Sequence, residues 1–185
     1  MDKFIIEGGI PLKGEVVPSG NKNAALPILS ACLLTEHPII LHNVPDILDV
    51  RTMRALLESL GVQFETLDTH TWKVEAKEVC PGELDPELCR NIRASILLAG
   101  PMLARAGYII LPPPGGDVIG RRRVDTHILA LQKLGAEVEY NRTFSFHCIG
   151  LTGADILLDE ASVTATENTI MASVLAKGTT ILRNA

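Results

Sequence analysis

Aromatic residues make up only 4% of this 185-residue chain, while hydrophobic residues make up 46%. Its core must therefore be aliphatic. Basic residues are also in short supply: 17 Lys and Arg against 22 Asp and Glu leave a formal charge of −5. That balance excludes a general nucleic-acid binder, which needs a broad basic footprint. Any anion site must be built locally. The four cysteines, Cys32, Cys80, Cys89 and Cys148, form no C-x-x-C pair. They point to buried or incidental thiols in a reduced, cytoplasmic protein. The longest apolar window, Ala24–Leu34, is broken by Pro27 and Ser30 and is too short to span a bilayer, so no membrane association is expected. Residues 1–9 read as a short strand rather than a secretory signal. The chain has no G-x-S-x-G, no G-x-G-x-x-G after a strand and no P-loop, which argues against a serine hydrolase, a dinucleotide-dependent dehydrogenase or a P-loop ATPase. His37, His42, His70 and His147 lack metal-ligand spacing, and neither a metal nor a cofactor is expected.

What the chain does have is a repeat. Residues 23–42 overlay residues 93–112 at an offset of 70, and residues 164–183 overlay the second copy at an offset of 71. Each copy reads as a helix, a short turn and an apolar strand. A second element repeats as well: "VRTMRALLESLGVQFE" (50–65) matches "VDTHILALQKLGAEVE" (124–139) at an offset of 74. Met53, Leu56, Leu57 and Leu60 share one helical face, as do Val124, Ile128, Leu131 and Leu134. Gly61 and Gly135 then suit left-handed C-terminal caps. Hairpins follow, Val62–Thr66 with Trp72–Ala76 and Ala136–Tyr140 with Thr143–Ile149. The unit is thus helix–strand–helix–hairpin, about 70 residues long. The third copy includes only its first helix and strand. It is expected either to be part of a longer protein or to be completed by a partner. A first strand is expected at Phe4–Glu7, with residues 1–20 belonging to another lobe and residues 21–185 forming the repeat lobe.

The offset grows from 70 to 74 inside "PPPGGDVIGRRRVD" (112–125), so one loop carries an insertion. Pro112–Pro114 stiffen it, Gly115 and Gly116 free the backbone, and Asp117 follows. Arg121, Arg122 and Arg123 precede a helix starting near Val124, with Asp125 in its first turn. An anion there would meet guanidinium groups and free backbone N–H groups together. The loop reads either as that site or as a solvated charge run.

In "PSGNKNAALP" (18–27), Lys22 sits at the start of a helix beginning near Ala24, where a cation opposes the helix dipole. Either an anion is held there, or Asn21 or Asn23 caps the helix and the lysine is merely exposed. Arg93 opens the equivalent helix of the second copy. Ser162, Thr164 and Thr166 are cap candidates for the third. His127 overlays Met53, which suggests a partly buried helix residue able to orient a ligand or the loop.

Together, "GNKNAALPIL" (20–29), "RASILLAGP" (93–101), "PPGGDVIGRRRVDTH" (113–127), "LGAEVE" (134–139) and "TENTIMASVLAKGTTILRNA" (166–185) resemble the N-terminal part of the UDP-N-acetylglucosamine 1-carboxyvinyltransferase family, the enolpyruvyl transferases. The resemblance implies an α/β (α+β) fold, an inside-out α/β barrel with helices inside and sheets outside. It implies transfer of the enolpyruvyl group of phosphoenolpyruvate to the 3-hydroxyl of UDP-N-acetylglucosamine, with release of phosphate. That reaction is the first committed step of peptidoglycan synthesis and supports cell shape and division. The resemblance makes Lys22 and Arg122 phosphoenolpyruvate contacts, Asn23 a sugar-nucleotide contact and Arg93 a neighbour of the sugar diphosphate. Arg122, Arg123, Val124, Asp125 and Thr126 match the uridine segment. Glu160, Ala161, Ser162 and Val163 match a second nucleotide segment, in which Glu160 replaces a lysine of many members. Asp117 stands where most members have cysteine and some aspartate, and is the implied proton donor. The shikimate-site motifs of the related 5-enolpyruvylshikimate 3-phosphate synthase are not evident. A truncated, non-catalytic paralogue that binds a nucleotide sugar or a partner chain is the other reading. The isolated chain is expected to be inactive and to self-associate.

Overall fold

The computed structural model describes residues 3–116 and 124–185. Two copies of the repeat are present in full. The first comprises α1 (Lys22–Ala31), β1 (Ile39–Leu41), α2 (Leu48–Ser59), β2 (Gln63–Asp68) and β3 (Thr71–Glu75). A short helix α3 (Pro86–Asn91) leads into the second: α4 (Ala99–Ala106), β4 (Tyr108–Leu111), α5 (Asp125–Lys133), β5 (Glu137–Asn141) and β6 (Thr143–His147). The third holds β7 (Asp155–Leu157), α6 (Val163–Val174) and β8 (Ile181–Arg183).

The two full copies pair their strands alike, in the orders β1-β3-β2 and β4-β6-β5, all antiparallel. Even the register is preserved. Ile39 faces Val74, which faces Phe64; the equivalent Ile109 faces Phe146, which faces Val138. A second pairing links successive units. Glu83 lies parallel to Ile110 of β4, and β7 runs parallel to β8 with Asp155 opposite Ile181. The chain leaving each hairpin thus lies along the first strand of the next unit.

The core is aliphatic, as composition requires, and the helices occupy its centre. Val50, Met53, Leu56 and Leu57 of α2 are fully buried, and Ala99, Gly100, Pro101, Met102 and Leu103 of α4 are all buried. The hairpin strands lie outside; β2 shows solvent along most of its length. Gly61 and Gly135 have φ of 93° and 100°, in line with the expected helix stops.

Three local expectations are corrected. Arg93 opens a 3-10 segment, Arg93–Leu98, and not the α-helix itself. The cause is Pro101. Lacking an N–H, it sits in the first turn of an α-helix without loss of a hydrogen bond, and α4 starts accordingly at Ala99. The expected strand at Phe4–Glu7 does not form. Residues 3–20 run without regular structure, and Phe4 is 94% exposed. A strand needs a partner for its backbone groups, and no described strand pairs with this one. Finally, α1 begins at Lys22, two residues early, because Asn21 caps it by accepting from the N–H groups of Asn23 and Ala24.

Candidate functional site

A cavity of about 480 Å³ opens where the first turns of α1 and α6 meet the segment between α3 and α4. Its walls include Lys22 and Asn23 from α1, Asp49 from α2, Asn91 and Arg93, Gly116, and Val163, Thr164 and Glu167 from α6. Four residues selected from sequence, Lys22, Asn23, Arg93 and Val163, thus converge although 141 positions separate the first from the last. The repeat explains the convergence. The first turns of α1 and α6 and the 3-10 segment Arg93–Leu98, which hold equivalent places in the three units, border one opening, and free N–H groups at the starts of α1 and α6 favour anions there.

The anion that Lys22 calls for is present within the chain. Its Nζ lies 2.8 Å from Asp49 Oδ2. The two side chains are 47% and 35% exposed, so solvent screens the pair and it stabilises the fold by no more than about 1 kcal/mol. Such a pair can be exchanged for a bound anion. Among the described wall residues, Lys22 and Arg93 are matched by Asp49 and Glu167. Burial raises the Glu167 pKa above its usual value, which favours its neutral form more than that of an exposed carboxylate. Pro27, also on the wall, has no N–H and leaves the Asn23 carbonyl without its usual intrahelical donor.

Gly116 forms the last described part of the loop before Asp117. Gly115 and Gly116 donate backbone hydrogen bonds to the carbonyls of Cys89 and Arg90, at 3.0 and 2.9 Å, which pins this end of the loop beside Arg93. Asp117, Arg121, Arg122 and Arg123 lie outside the described residues.

The other selected residues among those described are not on the cavity wall. Thr126 is buried and donates to Asp159 Oδ1 at 2.7 Å, tying the start of α5 to the approach to α6. Ser162 caps α6 through the N–H of Ala165, which selects it among the three cap candidates. Val124 is half-buried, and Asp125, Glu160 and Ala161 are exposed. Among the described residues, no cluster of His, Cys, Asp and Glu could hold a metal ion. No described helix is long and apolar enough to cross a membrane.

Asp49, Asn91 and Glu167 were missed. Asp49 stands in the first turn of a helix, where an acidic residue is ordinary. Glu167 could have been found by helical spacing, since it shares a face with Val163 and Thr164.

His127 is more deeply placed than expected, at 1% exposure. Its Nε2 is 3.2 Å from Thr164 Oγ1, and its Nδ1 is 3.2 Å from Asn168 Nδ2. Burial, reinforced by the nearby charge of Arg93, pushes its pKa from 6.5 down to about 4. The unfolded chain therefore takes up this proton first as pH falls. The stability contributed by neutral His127 is complete above about pH 6.5 and is lost progressively down to about pH 4. The loss is roughly 3 kcal/mol over that window. Urea unfolding at pH 7 and pH 4.5 should show it, and a His127→Asn variant should show a smaller pH dependence. An identical dependence in the two proteins would remove His127 as the cause.

Comparison with known proteins places this arrangement in a family. Residues 6–185 match the family model described as EPSP synthase (3-phosphoshikimate 1-carboxyvinyltransferase). The chain is 57% identical over 183 residues to the UDP-N-acetylglucosamine 1-carboxyvinyltransferase of Bradyrhizobium diazoefficiens, covering 99% of this chain and 42% of that protein. It is 55% identical to the enzyme of the same name from Treponema denticola, covering all of this chain and 43% of that protein. The chain thus spans less than half the length of these relatives. Among solved structures, the enolpyruvyl transferase NikO from Streptomyces tendae superimposes with a TM-score of 0.77 at 21% identity, over 95% of this chain and 42% of that one. EPSP synthase from Acinetobacter baumannii gives 0.70 at 16% identity, over 89% of this chain and 39% of that one. These two likenesses show the fold, an α/β architecture of the enolpyruvyl transferase type. With the helix-centred repeat and the family match in agreement, the chain belongs to the EPSP synthase (3-phosphoshikimate 1-carboxyvinyltransferase) family.

Proposed function

We propose that this chain supplies one wall of the cleft of an enolpyruvyl transferase whose substrates are phosphoenolpyruvate and UDP-N-acetylglucosamine. The observation that carries the reading is the convergence of Lys22, Asn23 and Arg93 on one cavity, bordered by Gly116, the residue before Asp117. Identities above 50% to relatives named for the UDP-sugar support this acceptor over shikimate 3-phosphate. Residues 3–20, which find no partner in the described sheets, fit a second lobe. The reaction belongs to peptidoglycan synthesis, a cytoplasmic role.

The chemistry follows from the residue types. Asp117 donates a proton to C3 of phosphoenolpyruvate, leaving positive character at C2. The sugar 3-hydroxyl oxygen bonds to C2 and passes its proton to a carboxylate of the second lobe. C3 then returns a proton to the Asp117 carboxylate as the C2–O bond to phosphate breaks, and the products are the enolpyruvyl ether and inorganic phosphate. Lys22 and Arg122 stabilise the charge on the departing phosphate. For Lys22 this means leaving Asp49, an exchange that the weakness of that pair permits.

The complete gene product should release phosphate from phosphoenolpyruvate only when UDP-N-acetylglucosamine is present. Phosphate release with shikimate 3-phosphate instead would reassign the acceptor. Nucleotide-sugar binding with no phosphate release would favour the non-catalytic reading.

A further inference from the structure

The hydrogen bonds behind the cavity wall run in one direction. The Gly100 N–H can only donate, and Asn168 Oδ1 accepts it at 2.8 Å. This orients the amide, so Asn168 Nδ2 donates to the Ile96 carbonyl at 3.0 Å and to His127 Nδ1 at 3.2 Å. A neutral imidazole that accepts at Nδ1 has its proton on Nε2. An imidazolium would instead set N–H against N–H at Asn168, and burial beside Arg93 already opposes that charge. His127 Nε2–H therefore donates to Thr164 Oγ1, 3.2 Å away.

Having accepted from His127, the Thr164 hydroxyl still has its own proton to place. Elsewhere on α6, Thr169 and Ser173 direct theirs to the carbonyls four residues back, each at 2.7 Å. Thr164 makes no such bond, and among the described residues its hydroxyl has no acceptor, although it lines the cavity. Lys22, Arg93 and the N-termini of α1 and α6 face the same space. The group that suits this combination is an anionic oxygen, which can accept but not donate.

We propose that Thr164 determines specificity by donating a hydrogen bond to a phosphoryl oxygen of the bound substrate, held in that polarity by the chain Gly100–Asn168–His127. The identity of the phosphoryl ligand rests on the functional reading above; the direction of the hydroxyl does not. His127 and Asn168 are positioning residues that act through Thr164.

Calorimetric titration of the complete gene product with UDP-N-acetylglucosamine and, separately, with phosphoenolpyruvate tests the proposal. T164V keeps the shape but removes the donor, and is expected to weaken one of the two ligands about ten- to hundredfold. T164S keeps the donor and should stay within about threefold of wild type. Loss confined to the nucleotide sugar identifies its diphosphate as the acceptor; loss confined to phosphoenolpyruvate identifies the enol phosphate. Unchanged affinity of T164V for both ligands overturns the proposal, and so does an equal loss in T164S. Nitrogen-15 NMR of His127 in the unliganded wild type gives an independent arm, valid even if T164V fails to fold. The Nε2–H tautomer is expected at pH 7, and the Nδ1–H tautomer or an imidazolium overturns the proposal. A wild type that binds neither ligand sinks the functional reading together with this one. A wild type that turns over, with T164V unaffected, sinks this inference alone.

Discussion

Replacing Asp117 by alanine in the complete gene product is expected to lower turnover about 10²- to 10⁴-fold, the range that a positioned general acid supplies. Binding of the two substrates should change far less, because the cavity cations Lys22 and Arg93 remain. Phosphoenolpyruvate is a poor electrophile at C2 until C3 takes a proton, so an acid must stand within reach of C3. From Gly115 to Arg123, the inserted loop holds one acidic side chain, that of Asp117. Water is a far weaker substitute, so the loss should fall on kcat rather than on KM. The measurement is steady-state phosphate release, with each substrate varied in turn. Turnover within about threefold of wild type would remove Asp117 from the mechanism. The same residue type bears on fosfomycin, which alkylates the loop thiol of the family resembled here. A carboxylate in place of that thiol predicts resistance, and a covalent adduct on this loop after incubation would contradict it.

Gly100→Ala is expected to destabilise the protein by roughly 3–5 kcal/mol, through overpacking and the loss of a buried hydrogen bond. Helix propensity alone predicts the opposite, since alanine is better than glycine inside a helix by about 0.5–1 kcal/mol. Packing decides the sign. A Cβ at position 100 would sit 2.4 Å from the Asn168 carbonyl oxygen and 2.5 Å from Asn168 Oδ1. Neither neighbour can yield cheaply. The first belongs to the backbone of α6, and the second is the buried acceptor of the Gly100 N–H. To fit a methyl group, α4 and α6 must separate, and Asn168 must lose the partner that orients it toward His127. The unfolding temperature should fall by about 10 °C. An unchanged unfolding temperature would show that α4 and α6 are not packed this closely. If the protein still folds, binding in the cavity should also weaken, because the Thr164 hydroxyl loses its fixed direction.

The repeat was legible because its signals are local. A helix declares itself by apolar spacing, a stop by glycine, a strand by a short apolar run, and all three recur at nearly fixed offsets. Hence α2, α5, α6 and the two hairpins fall within a residue or two of their expected bounds. The Lys22–Asp49 pair was not legible. Its partners are 27 residues apart, and each residue has an ordinary local explanation. The buried relay was hidden more deeply, since Asn168 lies 41 residues from His127 and 68 from Gly100. The failed strand at Phe4–Glu7 teaches the converse: an apolar run makes a strand only where another strand accepts its hydrogen bonds.

The amino-acid sequence by itself determined the repeating unit, the aliphatic core and the residue types at the helix starts, because these depend on neighbours a few positions apart. Tertiary structure alone decided which of those residues share a cavity, that Asp49 answers Lys22, and that His127 lies within hydrogen-bond distance of both Asn168 and Thr164. A hydrogen bond or an ion pair depends on distance and direction in space, and only the packing of one unit's helices against the next sets them.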